Sequence, residues 1–335
     1  MDQGGVQLTV DWSGGQIVAA RVECRRPKAA HLLEGRSVAE VEALAPRLFS
    51  LCGHAQGAAA KLATAAARGE DGAALAEQLC RGVAREAIGE HLWRLLLDWP
   101  PLSGGMQEKE TFLRWRKHLL SLKTPQEEAL FARELLQWLP SLAEFPCPER
   151  AVAAPAQLLP WRDADAWTAI GVDSVFAEAP MLGGQPAETG PLARQAADPE
   201  VVALLADHRR VAARVAARRA DLRFLAQALL DPSLLLGWLG AAPVSAGIGL
   251  ARVETARGLL LHLTQVKDDR VEAYVIVAPT EWNFHPRGAF VGEIVGSLAA
   301  TRDAAAMLAR RLALALDPCV SCELVVEAVG EHENA

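Results

Sequence analysis

The chain has 335 residues, which is ample for a hydrophobic core that needs no disulfide stapling. Apolar residues make up 51% of the sequence and aromatic residues only 5%, a mixture that favours helix over sheet. The formal net charge of −7 gives no overall basic field for nucleic acid or an anionic membrane surface. We therefore expect partners that are proteins or small ligands.

No segment has the pattern typical of export or membrane insertion. The N-terminal residues lack the basic and apolar segments of a signal peptide, and the apolar stretch over residues 222–240 is interrupted by Asp231 and Pro232. We expect a cytoplasmic protein that uses neither membrane nor nucleic acid. In that compartment, cysteines are more often free, buried or metal-binding than disulfide-bonded.

In chain order, the first predicted element is a β-hairpin over residues 6–26, which turns at the S-G-G sequence of residues 13–15. Helical spacing of apolar residues then predicts a helical body over residues 37–140 and 198–230. Between its two parts, residues 140–195 are rich in proline, glycine and alanine. We expect this segment to be irregular and to wrap the surface.

Six arginines occur in the second part of the helical body. We interpret them as the solvated face of a long helix or helix pair, with a docking surface for an acidic partner as the alternative. They are Arg209, Arg210, Arg214, Arg218, Arg219 and Arg223.

After residue 240 the pattern changes to that of strands. A β-rich region is predicted over residues 246–286, followed by a closing helix and a cysteine motif over residues 293–325. The predicted fold is α+β and mostly helical, with small antiparallel β-elements near both ends. Cysteine motifs near both ends could serve one site, so we expect a single intertwined domain over residues 1–335.

The C-terminal motif, D-P-C-V-S-C over residues 317–322, spaces Cys319 and Cys322 so that both thiols can bind one metal centre. By itself this motif is weakly specific. It fits structural zinc, an iron–sulfur cluster, a redox dithiol or an organometallic site, and two small apolar residues that cap a helix would look the same. A second stretch, R-L-F-S-L-C-G-H-A-Q over residues 47–56, adds Cys52 and His54.

Together these motifs resemble the two cysteine motifs of nickel–iron hydrogenase large subunits, R-x-C-G-x-C-x-x-x-H and D-P-C-x-x-C-x-x-H. The L-E-G-R sequence of residues 33–36 resembles that family's I-L-x-G-R element and sets the register. In this register Cys52 falls on the second cysteine of the first motif, Phe49 on the first cysteine and Gln56 on the histidine. The resemblance implies a shortened version of the large-subunit fold.

In that family the second cysteine of each motif bridges nickel to an iron that carries cyanide and carbon monoxide. The resemblance implies that Cys52 and Cys322 keep the iron side, while Cys319 alone remains on the nickel side. Phe49 cannot supply a thiolate. His54, two residues after Cys52, is a further candidate that could reach the same site, although a structural histidine is more common.

Two further stretches extend the resemblance. Residues 254–258 (E-T-A-R-G) and 277–286 (V-A-P-T-E-W-N-F-H-P) are similar to the family's E-A-P-R-G and V-P-T-x-W-N-x-x-P elements. The resemblance implies that Arg257, Thr280 and Pro279 surround the cyanide ligands, to which the first two would donate hydrogen bonds. A surface salt bridge is the alternative role for Arg257.

Other positions depart from the family. The family's magnesium-binding glutamate falls near Ala30, its magnesium-binding histidine falls on Val325, and its proton-gating glutamate falls near Gln3. These departures imply that neither nickel nor magnesium is bound and that hydrogen chemistry is lost. The remaining cysteines, Cys24, Cys80 and Cys147, are interpreted as buried thiols.

The whole pattern resembles the HupK/HoxV accessory proteins of hydrogenase maturation. That resemblance implies a scaffold, not an enzyme, which transiently holds iron as Fe(CN)2(CO) and docks with a small HypC-type maturation chaperone and with the apo large subunit. A metal-free chaperone of either partner is the main alternative. An enzyme, either a residual hydrogenase or a redox protein using Cys319 and Cys322, is the second.

Overall fold

A computed structural model describes residues 4–25, 29–49, 51–147, 149–151 and 157–329. The α-helices are α1 (Val38–Leu48), α2 (Gly53–Ala67), α3 (Ala73–Trp93), α4 (Trp99–Leu102), α5 (Lys109–Ser121), α6 (Pro125–Trp138), α7 (Ala164–Thr168), α8 (Ser174–Glu178), α9 (Pro191–Arg194), α10 (Pro199–Ala206), α11 (Arg210–Leu230), α12 (Pro279–Asn283), α13 (Ala289–Ile294) and α14 (Arg302–Leu316). The strands are β1 (Gly5–Ser13), β2 (Gln16–Arg25), β3 (Gln157–Leu158), β4 (Met181–Leu182), β5 (Gln185–Glu188), β6 (Leu239–Ser245), β7 (Ile248–Thr255), β8 (Gly258–Lys267), β9 (Arg270–Val277) and β10 (Ser321–Ala328). Within this described part of the chain, no helix is both long enough and apolar enough to cross a bilayer.

The two ends of the sequence meet in one three-stranded sheet, ordered β10-β1-β2. The predicted N-terminal hairpin is confirmed: β1 pairs antiparallel with β2, and Gly14 and Gly15 adopt positive φ angles at the turn. On its other edge β1 pairs in parallel with β10, a strand that the sequence prediction missed. The buried face of β1 consists of Val6, Leu8 and Val10, which pack in the main hydrophobic core.

A four-stranded antiparallel sheet, β6-β7-β8-β9, lies against the alanine-rich helix α2. Three of its strands lie within the β-rich region predicted over residues 246–286, whereas β6 precedes that region and was not predicted. The helix and the sheet approach closely at Gly249, where a Cβ atom would lie 2.2 Å from the carbonyl oxygen of Ala63. This approach joins the C-terminal half of α2 to the start of β7, where only a glycine leaves enough room.

Two predicted helix boundaries are wrong. Sequence periodicity predicts separate helices over residues 74–87 and 90–99, but α3 continues through a π-helical turn, Arg94–Asp98, into α4. Pro100 and Pro101 have no amide hydrogen to donate to the preceding turn, and the Leu96 carbonyl accepts from the amide of Glu108 instead. The closing helix was predicted from residue 293, yet α14 begins at Arg302, where the Thr301 hydroxyl accepts from the amide of Ala304.

The interpretation of the arginines as a solvated face is wrong for half of them. The predicted helix pair is present as α10 and α11, but Arg210, Arg214 and Arg218 are almost completely buried. Their charges are compensated by buried carboxylates that lie far away in the sequence. Arg223, by contrast, is exposed.

The carboxylate partners of these arginines explain why an arginine-bearing helix can enter the core. Arg214 donates to both Glu188 and Glu293, and Arg218 donates to Asp317. Glu188 belongs to the irregular segment over residues 140–195, which was expected to wrap the surface. Instead that segment contributes Glu188 and Trp167 to the interior.

Candidate metal-binding site

A cavity of about 1060 Å³ lies where the two ends of the chain meet the four-stranded sheet. Five of its lining residues come from different elements: Cys24 from β2, Cys52 from the start of α2, Arg257 from the β7–β8 turn, Pro279 from α12, and Cys319 from the loop after α14. Three of the five carry thiols. The predicted site residues Cys52, Cys319, Arg257 and Pro279 are therefore brought together.

Cys52 is placed by the junction of α1 and α2. It is the N-cap residue of α2, and the next residue, Gly53, packs so tightly on α1 that a Cβ there would lie 2.8 Å from the Pro46 carbonyl oxygen. Burial, together with the nearby charges of Cys319 and Glu86, raises the pKa of the Cys52 thiol to about 12. At neutral pH this thiol keeps its proton until a metal displaces it.

Cys319 is placed by the end of α14. Asp317 ends that helix in the left-handed region with φ of 56°, and the following turn directs Cys319 towards α12. The amide of Cys319 donates to Thr280 Oγ1 at 3.2 Å, and its Sγ lies 2.9 Å from the same oxygen. Either the Thr280 hydroxyl group or the Cys319 thiol can donate in this second contact, and once Cys319 is a thiolate only the hydroxyl group can.

Arg257 is not a surface residue, because its side chain is 4% exposed. Its Nε donates to Asp317 Oδ1 at 3.2 Å and its Nη2 to Glu90 Oε2 at 2.7 Å. Burial lowers the pKa of the guanidinium, but the negative charges of Asp317, Glu90 and Cys319 outweigh that effect and raise it. Arg257 thus places a permanent positive charge next to Cys319.

Asp317 is the carboxylate on which three arginines converge. Arg94 donates to it at 2.7 Å, Arg218 at 2.7 Å and Arg257 at 3.2 Å. Burial alone would raise the pKa of Asp317, but the three guanidinium groups hold it well below its usual range. The aspartate of the D-P-C sequence therefore anchors the loop that carries Cys319.

This ionic network is a part of the site that local sequence patterns do not reveal. Behind Arg218 it continues to His91, whose Nε2 lies 2.8 Å from Asp221, and Asp221 accepts two hydrogen bonds from Arg194. The signals present in the sequence were the aspartate of D-P-C and the arginines of α11. Their partners lie between 26 and 223 residues away in the chain, so no local pattern pairs them.

The structure does not bring Cys322, which the family resemblance assigns to the iron, into the cavity. Cys322 lies in β10, is paired with Val6 of β1 and is exposed. The position of Cys322 has a backbone cause: residues 321–328 complete the β10–β1 ladder, and this pairing fixes Cys322 at the sheet edge. Among the described residues, no three histidine, cysteine, aspartate or glutamate side chains are grouped closely enough to hold a metal ion.

His54 also lies outside the cavity. Its side chain is exposed, while its backbone amide donates to Glu86 at 2.7 Å. Ala30 and Phe49, which stand where the family has a magnesium ligand and a nickel ligand, both line the cavity, whereas Val325 is partly exposed on β10. Gln3, the position nearest to the proton-gating glutamate, lies outside the described residues.

The remaining cysteines differ in their surroundings. Cys80 and Cys147 are buried, as predicted. Cys24 is half-buried and lines the cavity, so its interpretation as a purely structural thiol is incomplete. Its position on β2, opposite Val6, places it on the same face of the sheet as Cys322.

Gln56, which stands where the family has a histidine, is a further residue of the site. It is buried, its Nε2 lies 3.7 Å from the Cys52 sulfur, and its Oε1 lies 2.9 Å from His262 Nε2. The sequence assigned no role to His262. The signal available was the four-residue step from Cys52 to Gln56, which places both on one side of α2.

Comparison with known proteins relates this chain to hydrogenases and their accessory proteins. A family model described as nickel-dependent hydrogenase matches residues 239–324. The hydrogenase expression/formation protein HupK of Rhizobium leguminosarum bv. viciae is 32% identical over 370 residues, covering 98% of this chain and 97% of that protein. The hydrogenase expression/formation protein HoxV of Cupriavidus necator is 33% identical, with 92% and 94% covered.

Among solved structures, the nickel–iron–selenium hydrogenase of Desulfovibrio vulgaris Hildenborough superposes with a TM-score of 0.63. The superposition covers 91% of this chain and 94% of that chain at 17% sequence identity. At this identity the likeness concerns the fold. The fold is that of a nickel–iron hydrogenase large subunit, mostly helical with small sheets, as the sequence predicted.

Proposed function

Because the chain belongs to the family of HupK and HoxV hydrogenase expression/formation proteins, which are degenerate relatives of the nickel–iron hydrogenase large subunit, we propose that it acts in hydrogenase maturation as a scaffold for iron. Its cargo is the Fe(CN)2(CO) unit, which it holds before transfer to the apo large subunit. The observation that carries this proposal is the presence of the Cys52 and Cys319 thiols in one cavity, beside the buried guanidinium of Arg257.

The donor set suits this cargo. Two thiolates are soft anionic ligands for low-spin iron that already carries cyanide and carbon monoxide. Arg257 and Thr280 supply the charge and the hydroxyl group that a metal-bound cyanide or a thiolate accepts from. Phe49 fills the place of a nickel-binding thiol with an apolar ring, so the proposal includes neither nickel nor magnesium.

The raised pKa of Cys52 supports transient binding. A thiol whose pKa is raised to about 12 regains its proton readily at neutral pH, so protons compete with iron for the sulfur. Such competition favours release of the iron unit to a receiver with stronger ligands. The chain therefore acts as an intermediate carrier and performs no catalytic turnover.

The proposed partners follow from this carrier role. A small HypC-type maturation chaperone delivers the iron unit, and the apo large subunit receives it. These exchanges take place in the cytoplasm, where thiols stay reduced.

A second candidate function is a metal-free chaperone of the large subunit or of its maturation chaperone. The position of Cys322 favours it, because a cysteine that binds iron in the hydrogenase family lies here on an exposed strand. In that case the large-subunit fold itself would be the functional surface, and the thiols would be dispensable.

Infrared spectroscopy of the full chain, purified without oxygen after co-expression with the maturation machinery, separates the two functions. The scaffold predicts bands of metal-bound cyanide and carbonyl that disappear in Cys52→Ala. Cys80→Ala is the matched control, because that thiol is buried away from the cavity. If the wild-type protein is folded, supports maturation and shows no such bands, the scaffold is wrong and the metal-free chaperone stands.

A further inference from the structure

A row of three buried side chains leads from the Cys52 sulfur into the four-stranded sheet. Gln56 on α2 lies 3.7 Å from the sulfur through Nε2, His262 on β8 lies 2.9 Å from Gln56 through Nε2, and Tyr274 on β9 lies 2.7 Å from His262 Nδ1 through its hydroxyl group. None of the three is more than 3% exposed. The row thus joins the helix that positions a proposed iron ligand to two neighbouring strands.

The donor and acceptor groups of these side chains determine which way each hydrogen bond in the row runs. A side-chain amide donates through nitrogen and accepts through oxygen, so a Gln56 that donates to sulfur must accept from His262 through Oε1. His262 then carries its proton on Nε2. Its Nδ1 is left as an acceptor, and the Tyr274 hydroxyl group donates to it.

Burial sets the protonation states of His262 and Tyr274. Burial lowers the pKa of His262 to about 3, so the ring is neutral at physiological pH and has one proton to place. Burial also raises the pKa of Tyr274, so its hydroxyl group stays a donor. A reversed Gln56 amide would donate to His262 Nε2, move the ring proton to Nδ1 and make the Tyr274 hydroxyl group an acceptor from the ring, so the two orientations differ in the tautomer of His262.

We propose that His262 and Tyr274 are positioning residues, which hold the Gln56 amide with its N–H groups directed at the Cys52 sulfur. A hydrogen bond to a ligating sulfur withdraws electron density from it, and hydrogen bonds of this kind tune metal centres. The tuning of bound iron rests on the proposed scaffold function. The orientation of Gln56 does not, and it can be tested without iron.

The first test is the protonation of His262 in the iron-free full-length protein, measured by nitrogen-15 NMR with labelled histidine. The expected result is a proton on Nε2 in the wild type and a mixture of both tautomers in Tyr274→Phe, which removes a single oxygen atom. Thr264→Val is the matched control, because Thr264 is also buried on β8 and donates to the Ala273 carbonyl instead. A wild-type proton on Nδ1 would overturn the proposal, and so would a tautomer that Tyr274→Phe leaves unchanged.

The second test uses the loaded protein. Loss of the N–H donor should increase electron density on iron and strengthen donation into the carbonyl ligand, so the C–O stretch should move to lower wavenumber in Gln56→Leu and in Tyr274→Phe. Thr264→Val should leave the stretch unchanged. A C–O stretch that is unshifted in both Gln56→Leu and Tyr274→Phe would overturn the proposal. A wild-type protein without carbonyl bands would instead contradict the scaffold function, while the tautomer result would still decide the orientation of Gln56.

Discussion

Asp317 and Arg257 form a buried ion pair, with 3.2 Å between Oδ1 and Nε, that ties the end of α14 to the β7–β8 turn. The pair fixes the Cys319 loop against the sheet that carries Arg257, and the carboxylate also accepts from Arg94 and Arg218. One carboxylate therefore compensates several charges that would otherwise be unpaired in the interior.

Replacement of Asp317 by asparagine should strongly destabilise the fold. Removal of one partner from a buried ion pair typically costs about 3–5 kcal/mol, since the remaining charge stays uncompensated. Urea denaturation of the variant measures the loss of unfolding free energy. Asp303→Asn, at an exposed position in the first turn of α14, is the control and should change stability by less than about 1 kcal/mol. Equal stability of both variants would refute the role assigned to Asp317.

The pH dependence of the unfolding free energy should show the effect of the buried carboxyl group of Glu86. Burial raises the pKa of this carboxyl group to about 7 from its ordinary value of 4.5, although it accepts hydrogen bonds from the amides of His54 and Ala55. The folded state thus holds a proton that the unfolded state releases, and stability should fall as pH rises from about 4.5 to 7. Urea unfolding at pH 5 and pH 8 should show this loss, on the order of 2 kcal/mol. Glu86→Gln should reduce it, and an identical pH dependence in that variant would contradict the assignment.

Gly53→Ala should disturb the placement of Cys52. The added Cβ would lie 2.8 Å from the Pro46 carbonyl oxygen, so α2 must move away from α1, at a cost of about 1–3 kcal/mol. Gly292→Ala, on helix α13, is the control, because nothing lies within 4 Å of the position of its Cβ. Thermal unfolding should place the Gly53 variant well below the control. Coincident melting curves would show that the contact between α1 and α2 accommodates the added Cβ, and would contradict this prediction.

The rate of thiol alkylation should differ between Cys322 and Cys52. In iron-free native protein, a short alkylation pulse followed by mass spectrometry should label Cys322 before Cys52, because Cys322 is exposed whereas Cys52 is half-buried, and because burial raises the pKa of Cys322 to about 11 and that of Cys52 to about 12. The same pulse in urea should label the two at similar rates. Faster labelling of Cys52 in the native state would contradict the described position of β10.

The sequence was sufficient to predict the local elements of the site. The hairpin and the strands β7, β8 and β9 follow from short-range patterns. The resemblance to nickel–iron hydrogenase large subunits, carried by the D-P-C and E-T-A-R-G sequences and by residues 47–56, pointed to Cys52, Cys319 and Arg257, which the fold brings to one cavity. Each is positioned by residues within a few places of it in the chain, such as Gly53 and Asp317.

What the sequence could not predict depends on contacts between distant segments. The burial of Arg214 depends on Glu188 and Glu293, and the edge position of Cys322 depends on pairing with a strand more than three hundred residues earlier. The same holds for the Gln56–His262 contact, which joins α2 to β8. Local periodicity carries no information on such partners, so a charged helix face was mistaken for a solvated one.

Iron K-edge X-ray absorption of the loaded protein tests the central claim most directly, because it counts the sulfur atoms bound to iron. We expect two sulfur ligands in the wild type and in Cys322→Ala, and one in either Cys52→Ala or Cys319→Ala. Retention of both sulfur ligands in Cys319→Ala, together with loss of one in Cys322→Ala, would show that iron binds at the sheet edge and not in the cavity. That result would contradict the site described above.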